Sequence, residues 1–200
     1  MKKNPIIIFG AGGHARQVID VIENLNTFQI IGLIGKAGEL GKIIQDYPVI
    51  GCDKEIIEIR KKCKYAFIGI GQILNPKIKF NAYKKLLRLN FIIPTIISRH
   101  SYVSKFSKIG DGTIVMNGAI VNASAEVGNN CIINSKALVE HDVMIEDNCH
   151  ISTGVILNGS VKIGKGTFIG SGSIVREGIT IAPNSIISMG SIVKKDFLGN

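Results

Sequence analysis

The stretch INSKALVEHDVMIEDNCHISTGVILNGSVKIG, residues 133–164, carries an aliphatic side chain at every sixth position: Ile133, Val139, Ile145, Ile151, Leu157 and Ile163. Followed outward, the rule holds from Ile97 to Val193 with no exception and no insertion. The residue four places after each aliphatic one is nearly always small, as at Ala119, Ala125, Cys131 and Ala137, and Ile179 is the bulky case. Six is not a helical period. It belongs to a chain that runs extended for a few residues, turns, and repeats. Three hexads closing into one coil make a parallel β-helix. Its inward aliphatic residues stack on their copies one coil later, at the ~4.8 Å spacing of neighbouring strands. A β-sandwich places no such demand on a sequence. Residues 94–200 are therefore expected to form a triangular prism. Gly110, Gly112, Gly128, Gly164, Gly166, Gly170 and Gly172 are expected at its corners, where positive φ is needed.

Residues 1–93 read differently. The apolar run Ile6–Phe9 is followed by Gly10-Ala11-Gly12-Gly13-His14-Ala15, and RQVIDVIENL then shows helical spacing through Val18, Ile19, Ile22 and Leu25. Strand, glycine turn and helix in that order let a backbone approach a phosphate at a helix N-terminus. The alternative is a tight turn with no ligand. FQIIGLIG (28–35) and YAFIGIG (65–71) read as further strands, and NPKIKFNAYKKLLRL (75–89) as a helix. Together they suggest a Rossmann-like α/β domain over residues 1–93.

The totals narrow the partners. The 200 residues are 46% hydrophobic and carry a formal charge of +9, but only 6% are aromatic and none is Trp. The lysines are spread along the chain, with no basic arm and no base-stacking platform, which points to small anions such as nucleotides or coenzyme A rather than nucleic acid. No apolar run approaches the ~20 residues of a membrane-spanning helix. MKKNPIIIFGAGG reaches a glycine turn too soon for a signal peptide. Cys52, Cys63, Cys131 and Cys149 show no metal spacing and read as reduced thiols, so a cytoplasmic protein is expected.

His141 and His150 lie in adjacent hexads, at positions other than the inward aliphatic one. They are either solvated corner residues or part of a reaction centre.

The hexad pattern resembles the hexapeptide acyltransferases, whose coils wind left-handed, whose prisms trimerise, and whose acyl-coenzyme A lies between neighbouring prisms. A GAGGHA domain ahead of such a prism is similar to the NeuD/PglD family of bacterial sugar acetyltransferases. IIIFGAGGHA, YPVIG, FIGIG, LVEH and HISTGVILNGSVKIG carry the likeness over nearly the whole chain, closest to NeuD of sialic-acid clusters. The resemblance implies acetyl-coenzyme A as co-substrate, no metal, a sugar or sugar-nucleotide acceptor, and a homotrimer with sites between subunits. It implies His141 as general base, with Asp142 raising its basicity and Glu140 the lesser candidate. An imidazole that titrates near neutrality suits the task. Asn134 would meet the acceptor. His150 and Gly159 would contact the coenzyme, with Gly170 and Gly172 keeping a wall open for its pantetheine arm. Gly12, Gly13, His14 and Gly71 would hold the sugar-nucleotide. His100 is given no role.

Two departures qualify these expectations. Gly35-Lys36 stands where many members carry aspartates that meet the nucleotide, which suits an anionic acceptor such as a nonulosonic acid. The sequence ends at DFLGN rather than in a GxPAK-like tail, so weaker coenzyme binding or a differently completed pocket is expected. The leading expectation is O-acetylation of a sialic acid in surface-glycan (capsule) synthesis. The alternatives are N-acetylation of a UDP-linked amino sugar and a non-catalytic trimeric scaffold. A hexapeptide carbonic anhydrase is disfavoured, because its zinc needs three histidines and His100, His141 and His150 lack the spacing.

Overall fold

The computed structural model describes residues 3–72 and 75–199. It divides into two compact units, one formed by Met1–Gly71 with Lys77–Pro94 and the other by Gln72–Pro76 with Thr95–Asn200.

The first unit contains β1 (Asn4–Phe9), α1 (Gly13–Leu25), β2 (Phe28–Ile34), β3 (Ile43–Ile44), β4 (Tyr47–Gly51), α2 (Ile56–Lys62), β5 (Tyr65–Ile68) and α3 (Lys77–Arg88). Its sheet runs β3-β4-β2-β1-β5, parallel except for the antiparallel β3–β4 edge. Ile6, Ile7 and Ile8 are fully buried in the interior strand β1, as expected for a strand covered on both faces. Helix α1 lays Ala15, Val18, Ile19 and Ile22 on the sheet. It can come this close because Gly69 has no side chain: a Cβ there would lie 2.6 Å from Ile8 and 2.9 Å from Ala15. The apolar runs foretell β1, β2, β5, α1 and α3. Strands β3 and β4 and helix α2 escape that reading, being short and, in β4, interrupted by Pro48.

The second unit is a left-handed β-helix. Its seventeen two-residue strands, β6 (Ile96–Ile97) to β22 (Ile192–Val193), fall into three parallel sheets of six, five and six. Each strand pairs in register with the one a coil away, as in Ile133↔Ile151 and Val139↔Leu157. The second residue of each strand points inward, and with the small position it forms one continuous core from Val115 to Ile187. Burying each such Val, Ile or Leu contributes about 1.5–3 kcal/mol. The first residue of each strand points away from that core, and in β6, β9, β12 and β15 it is itself buried, as Ile96, Ile114, Ile132 and His150.

The corners follow a rule of their own. From Gly112 to Gly190 every sixth residue is left-handed, with φ between 53° and 73°, whether it is Gly, Asn, Ser, Lys136 or Asp142. Gly112, Gly166 and Gly172 therefore occupy the turn position anticipated for them. Gly110, Gly128, Gly164 and Gly170 do not. They are glycines because the next coil passes too close. A Cβ would lie 2.6 Å from Gly128 backbone at Gly110, 2.7 Å from Asp147 backbone at Gly128, and 2.5 Å from Pro183 backbone at Gly164, and would run into Met189 at Gly170.

Candidate functional site

Strand β1 has β2 on one side and β5 on the other, so the strand order reverses there. Ligands of open α/β sheets bind outside the carboxyl ends of the strands at such a point. A crevice of about 630 Å³ opens at that place. Gly10 to His14 line it after β1, Lys36 and Glu39 after β2, Asp53 and Lys54 after β4, and Gly71 after β5. Gly10 is structurally required: φ is +119° and a Cβ would press on Ile70 at 2.8 Å. Gly12 and Gly13 are not, since a Cβ on either meets nothing within 4 Å. Their missing side chains leave the crevice open at the start of α1. That helix has no side-chain cap and no acidic residue in its first turn, so its leading N–H groups face the crevice as an anion site. His14 and Gly71 adjoin, a Cβ on Gly71 falling 3.4 Å from that of His14. The carboxylate missing at position 36 arrives from Glu39. Its Oε2 accepts the Lys36 backbone N–H at 2.9 Å, folded back against Gly35.

The prism holds two further groups, on different corners. His141 stands at the corner after Leu138–Val139. Its Nδ1 lies 2.8 Å from Asp142 Oδ2, and both side chains are largely exposed. The left-handed turn at Asp142 is what lets neighbouring residues pair in this way. With Nδ1–H donating to the carboxylate, Nε2 keeps its lone pair. Glu140 is not the partner: its Oε2 accepts from Asn122 Nδ2 at 2.9 Å, one coil below. One coil above, Gly159 makes room for the ring, because a Cβ there would lie 2.6 Å from His141 Cε1 and 2.7 Å from Nε2. The ring is largely exposed and held, among the described residues, by the one hydrogen bond to Asp142. Gly159→Ala is therefore expected to leave the melting temperature nearly unchanged while displacing the imidazole. Thermal melts beside the NMR shifts of the His141 ring check this.

Asn134 and His150 come together at the corner after Ile132–Ile133. His150 is not a solvated corner residue. It is buried, with Nδ1 against the Gln72 carbonyl, Nε2 3.2 Å from Asn134 Nδ2, and Phe168 edge-on at 5.2 Å. Gly170 is on this corner, one coil above Ser152. Sequence reasoning missed Gln72, because nothing local marks it as a neighbour of His150 and Gly166. Among the described residues no three His, Cys, Asp or Glu side chains group as metal ligands, and no helix is long and apolar enough to cross a membrane.

Comparison with known proteins bears on both units. Residues 5–86 match the PglD N-terminal domain. Residues 106–141, 124–159 and 160–195 match the bacterial transferase hexapeptide (six repeats). The chain belongs to the NeuD/PglD family. It is a hexapeptide acyltransferase. Among solved structures, a histidine-to-asparagine mutant of perosamine N-acetyltransferase from Caulobacter crescentus, in complex with CoA and GDP-perosamine, has a TM-score of 0.91. It is 27% identical, over 97% of this chain and 90% of that one. The acetyltransferase domain of PglB from Neisseria gonorrhoeae, in complex with acetyl coenzyme A, has a TM-score of 0.89 and 26% identity, over 98% of this chain and 93% of that one. WeeI from Acinetobacter baumannii, 20% identical with a TM-score of 0.87 over 98% of this chain and 93% of its own, shares the fold. No curated protein matches.

Proposed function

We propose that this NeuD/PglD-family chain transfers the acetyl group of acetyl-coenzyme A to the amino group of a nucleotide-linked sugar. The observation that carries the reading is the exposed His141–Asp142 pair seated over Gly159. Asp142 holds the Nδ1 proton, and Nε2 makes no hydrogen bond among the described residues. Nε2 is then the base that receives the proton of the attacking amine, and Asp142 stabilises the imidazolium. The crevice of the first unit supplies the nucleotide site, with Gly12, Gly13, His14 and Gly71 around the diphosphate. The 27%-identical relative bound to GDP-perosamine supports an amino-sugar nucleotide over a free sialic acid.

O-acetylation of a sialic acid is the second reading, favoured by Lys36 at the end of β2, where a cation suits an anionic acceptor. Glu39 beside it argues the other way. The deciding experiment follows thiol release from acetyl-coenzyme A with GDP- and UDP-linked amino sugars, free sialic acid and CMP-sialic acid. Release with a sugar nucleotide bearing a free amine supports the first reading, and release only with a sialic acid overturns it. Gly12→Ala is expected to weaken GDP or UDP binding about tenfold by titration calorimetry, with the melting temperature unchanged because the added methyl touches no protein atom.

The active assembly in this reading is a homotrimer in the cytoplasm. One sheet of the prism presents an outward column of Tyr102, Ile120, Leu138, Ile156, Ile174 and Ile192, all exposed or half-exposed. The Asn134 corner precedes this face and the His141 corner follows it. A second copy covering the column would bury the apolar stripe and enclose the histidine.

A further inference from the structure

Lysines that are scattered along the sequence are gathered by the fold. The first unit holds fifteen Lys and Arg against seven Asp and Glu, so eight of the nine net positive charges lie on it. From Ile59 to Pro94 there is no acidic residue, against nine Lys and Arg. Much of this charge meets where the C-terminal ends of α2 and α3 come together. Arg60 stitches them: its Nε and Nη2 donate to the Asn90 carbonyl at 3.0 and 2.8 Å, and its guanidinium lies over the buried Phe91 ring. The Ile92 backbone N–H donates to the Lys64 carbonyl at 2.9 Å. Lys61, Lys62, Lys64, Lys84 and Arg88 are all exposed there. Lys61 pairs with Glu58, but Lys62, Lys64, Lys84 and Arg88 make no ion pair among the described residues. Beside them Leu87 and Ile92 are 46% and 49% exposed.

The fold's own stability does not call for this arrangement. Helix dipoles favour cations in a last turn, which suits Arg60, Lys61 and Lys62 on α2 and Lys85 and Arg88 on α3. They do not ask for Lys64 beyond α2, nor for Lys84, which repels Arg88 at i, i+4. Nor do they explain aliphatic side chains left exposed among the charges. We propose that this face docks on the surface of an anionic phospholipid bilayer. Its cations would meet the headgroups, and Leu87 and Ile92 the edge of the acyl layer. Basic residues interleaved with aliphatic ones are the composition that binds there. A single-stranded nucleic acid would be met by rings on which bases stack. The rings at hand are taken: Phe91 is buried, and Lys84 covers Phe80 at 4.4 Å. Docking of this kind needs no membrane-spanning helix, and it stands apart from the crevice residues and from His141.

The test is co-sedimentation of the full chain with vesicles of phosphatidylcholine alone and of phosphatidylcholine mixed with phosphatidylglycerol. The chain is expected to pellet with the anionic vesicles and to stay in solution with the neutral ones. Raising salt from ~0.1 M to ~1 M shortens the Debye length from ~10 Å to ~3 Å and should release it. Lys62→Gln, Lys64→Gln, Lys84→Gln and Arg88→Gln combined should lower the partition coefficient about 100-fold or more, since each basic residue near the surface contributes about fivefold. All four side chains are exposed, so the melting temperature should stay nearly unchanged. Leu87→Gln with Ile92→Gln should lower binding about tenfold with the charge intact. The same change at four exposed prism lysines, Lys105, Lys108, Lys162 and Lys194, should leave it unaltered. No pelleting with anionic vesicles, or equal losses from the two sets of four, overturns the proposal. So does full binding by the Leu87→Gln, Ile92→Gln variant, or tighter binding to a single-stranded oligonucleotide than to the vesicles; either outcome makes the face a general polyanion site.

Discussion

His141→Ala is expected to lower thiol release from acetyl-coenzyme A about 1000-fold, within the 10²–10⁴ range of a general acid–base group, without unfolding the prism. The two halves of this expectation have separate causes. In the proposed acetyl transfer the rate should fall because Nε2 would take the acceptor's proton at this corner, where Nδ1 is committed to Asp142 and Glu140 to Asn122. The fold survives because the imidazole is largely exposed and no core side chain rests on it. Asp142→Asn should lose less, since the amide still accepts the Nδ1 proton but no longer stabilises the imidazolium. Rates at saturating acceptor, with circular dichroism on each variant, measure both. Unchanged turnover in His141→Ala would remove the catalytic reading and favour a scaffold.

For the proposed trimer, Ile174→Glu is expected to reduce the particle in solution from three chains to one and to lower activity at least 100-fold. Ile174 lies mid-column on the apolar face, paired in register with Ile156 and Ile192. A carboxylate there would be desolvated at each of three interfaces with no cation opposite it in the column, at a cost of several kcal/mol per site. Within one prism the side chain already meets solvent and Val175, not Ile174, fills the core, so the monomer should remain folded. Light scattering gives the mass and thiol release the activity. A trimer that persists with full activity would show that this face is not the interface.

Much of this molecule was legible in its residues. The six-residue rule needs no tertiary information, because a coil that stacks on itself imposes the same inward volume at each turn; hence the core from Val115 to Ile187. The turn after β1 was equally legible, since strand, glycines and helix follow one another within a dozen residues. His141 and Asp142 are neighbours in sequence, and their pairing is a local event at a left-handed turn.

What escaped lies far apart along the chain. Gly110, Gly128, Gly164 and Gly170 look like turn residues until the next coil is in place and its backbone occupies the space of a Cβ. Glu39 reaches the crevice only because the chain after β2 doubles back on Gly35. His150 read as either a solvated corner residue or part of a reaction centre, and a carbonyl seventy-eight residues earlier helps to bury it. Periodicity and adjacent motifs are recorded in the order of residues, since they arise from forces between near neighbours or from identical turns. The burial of His150 and its contacts with Gln72 and Asn134 arise between segments that only folding brings together, so the tertiary structure alone decided them.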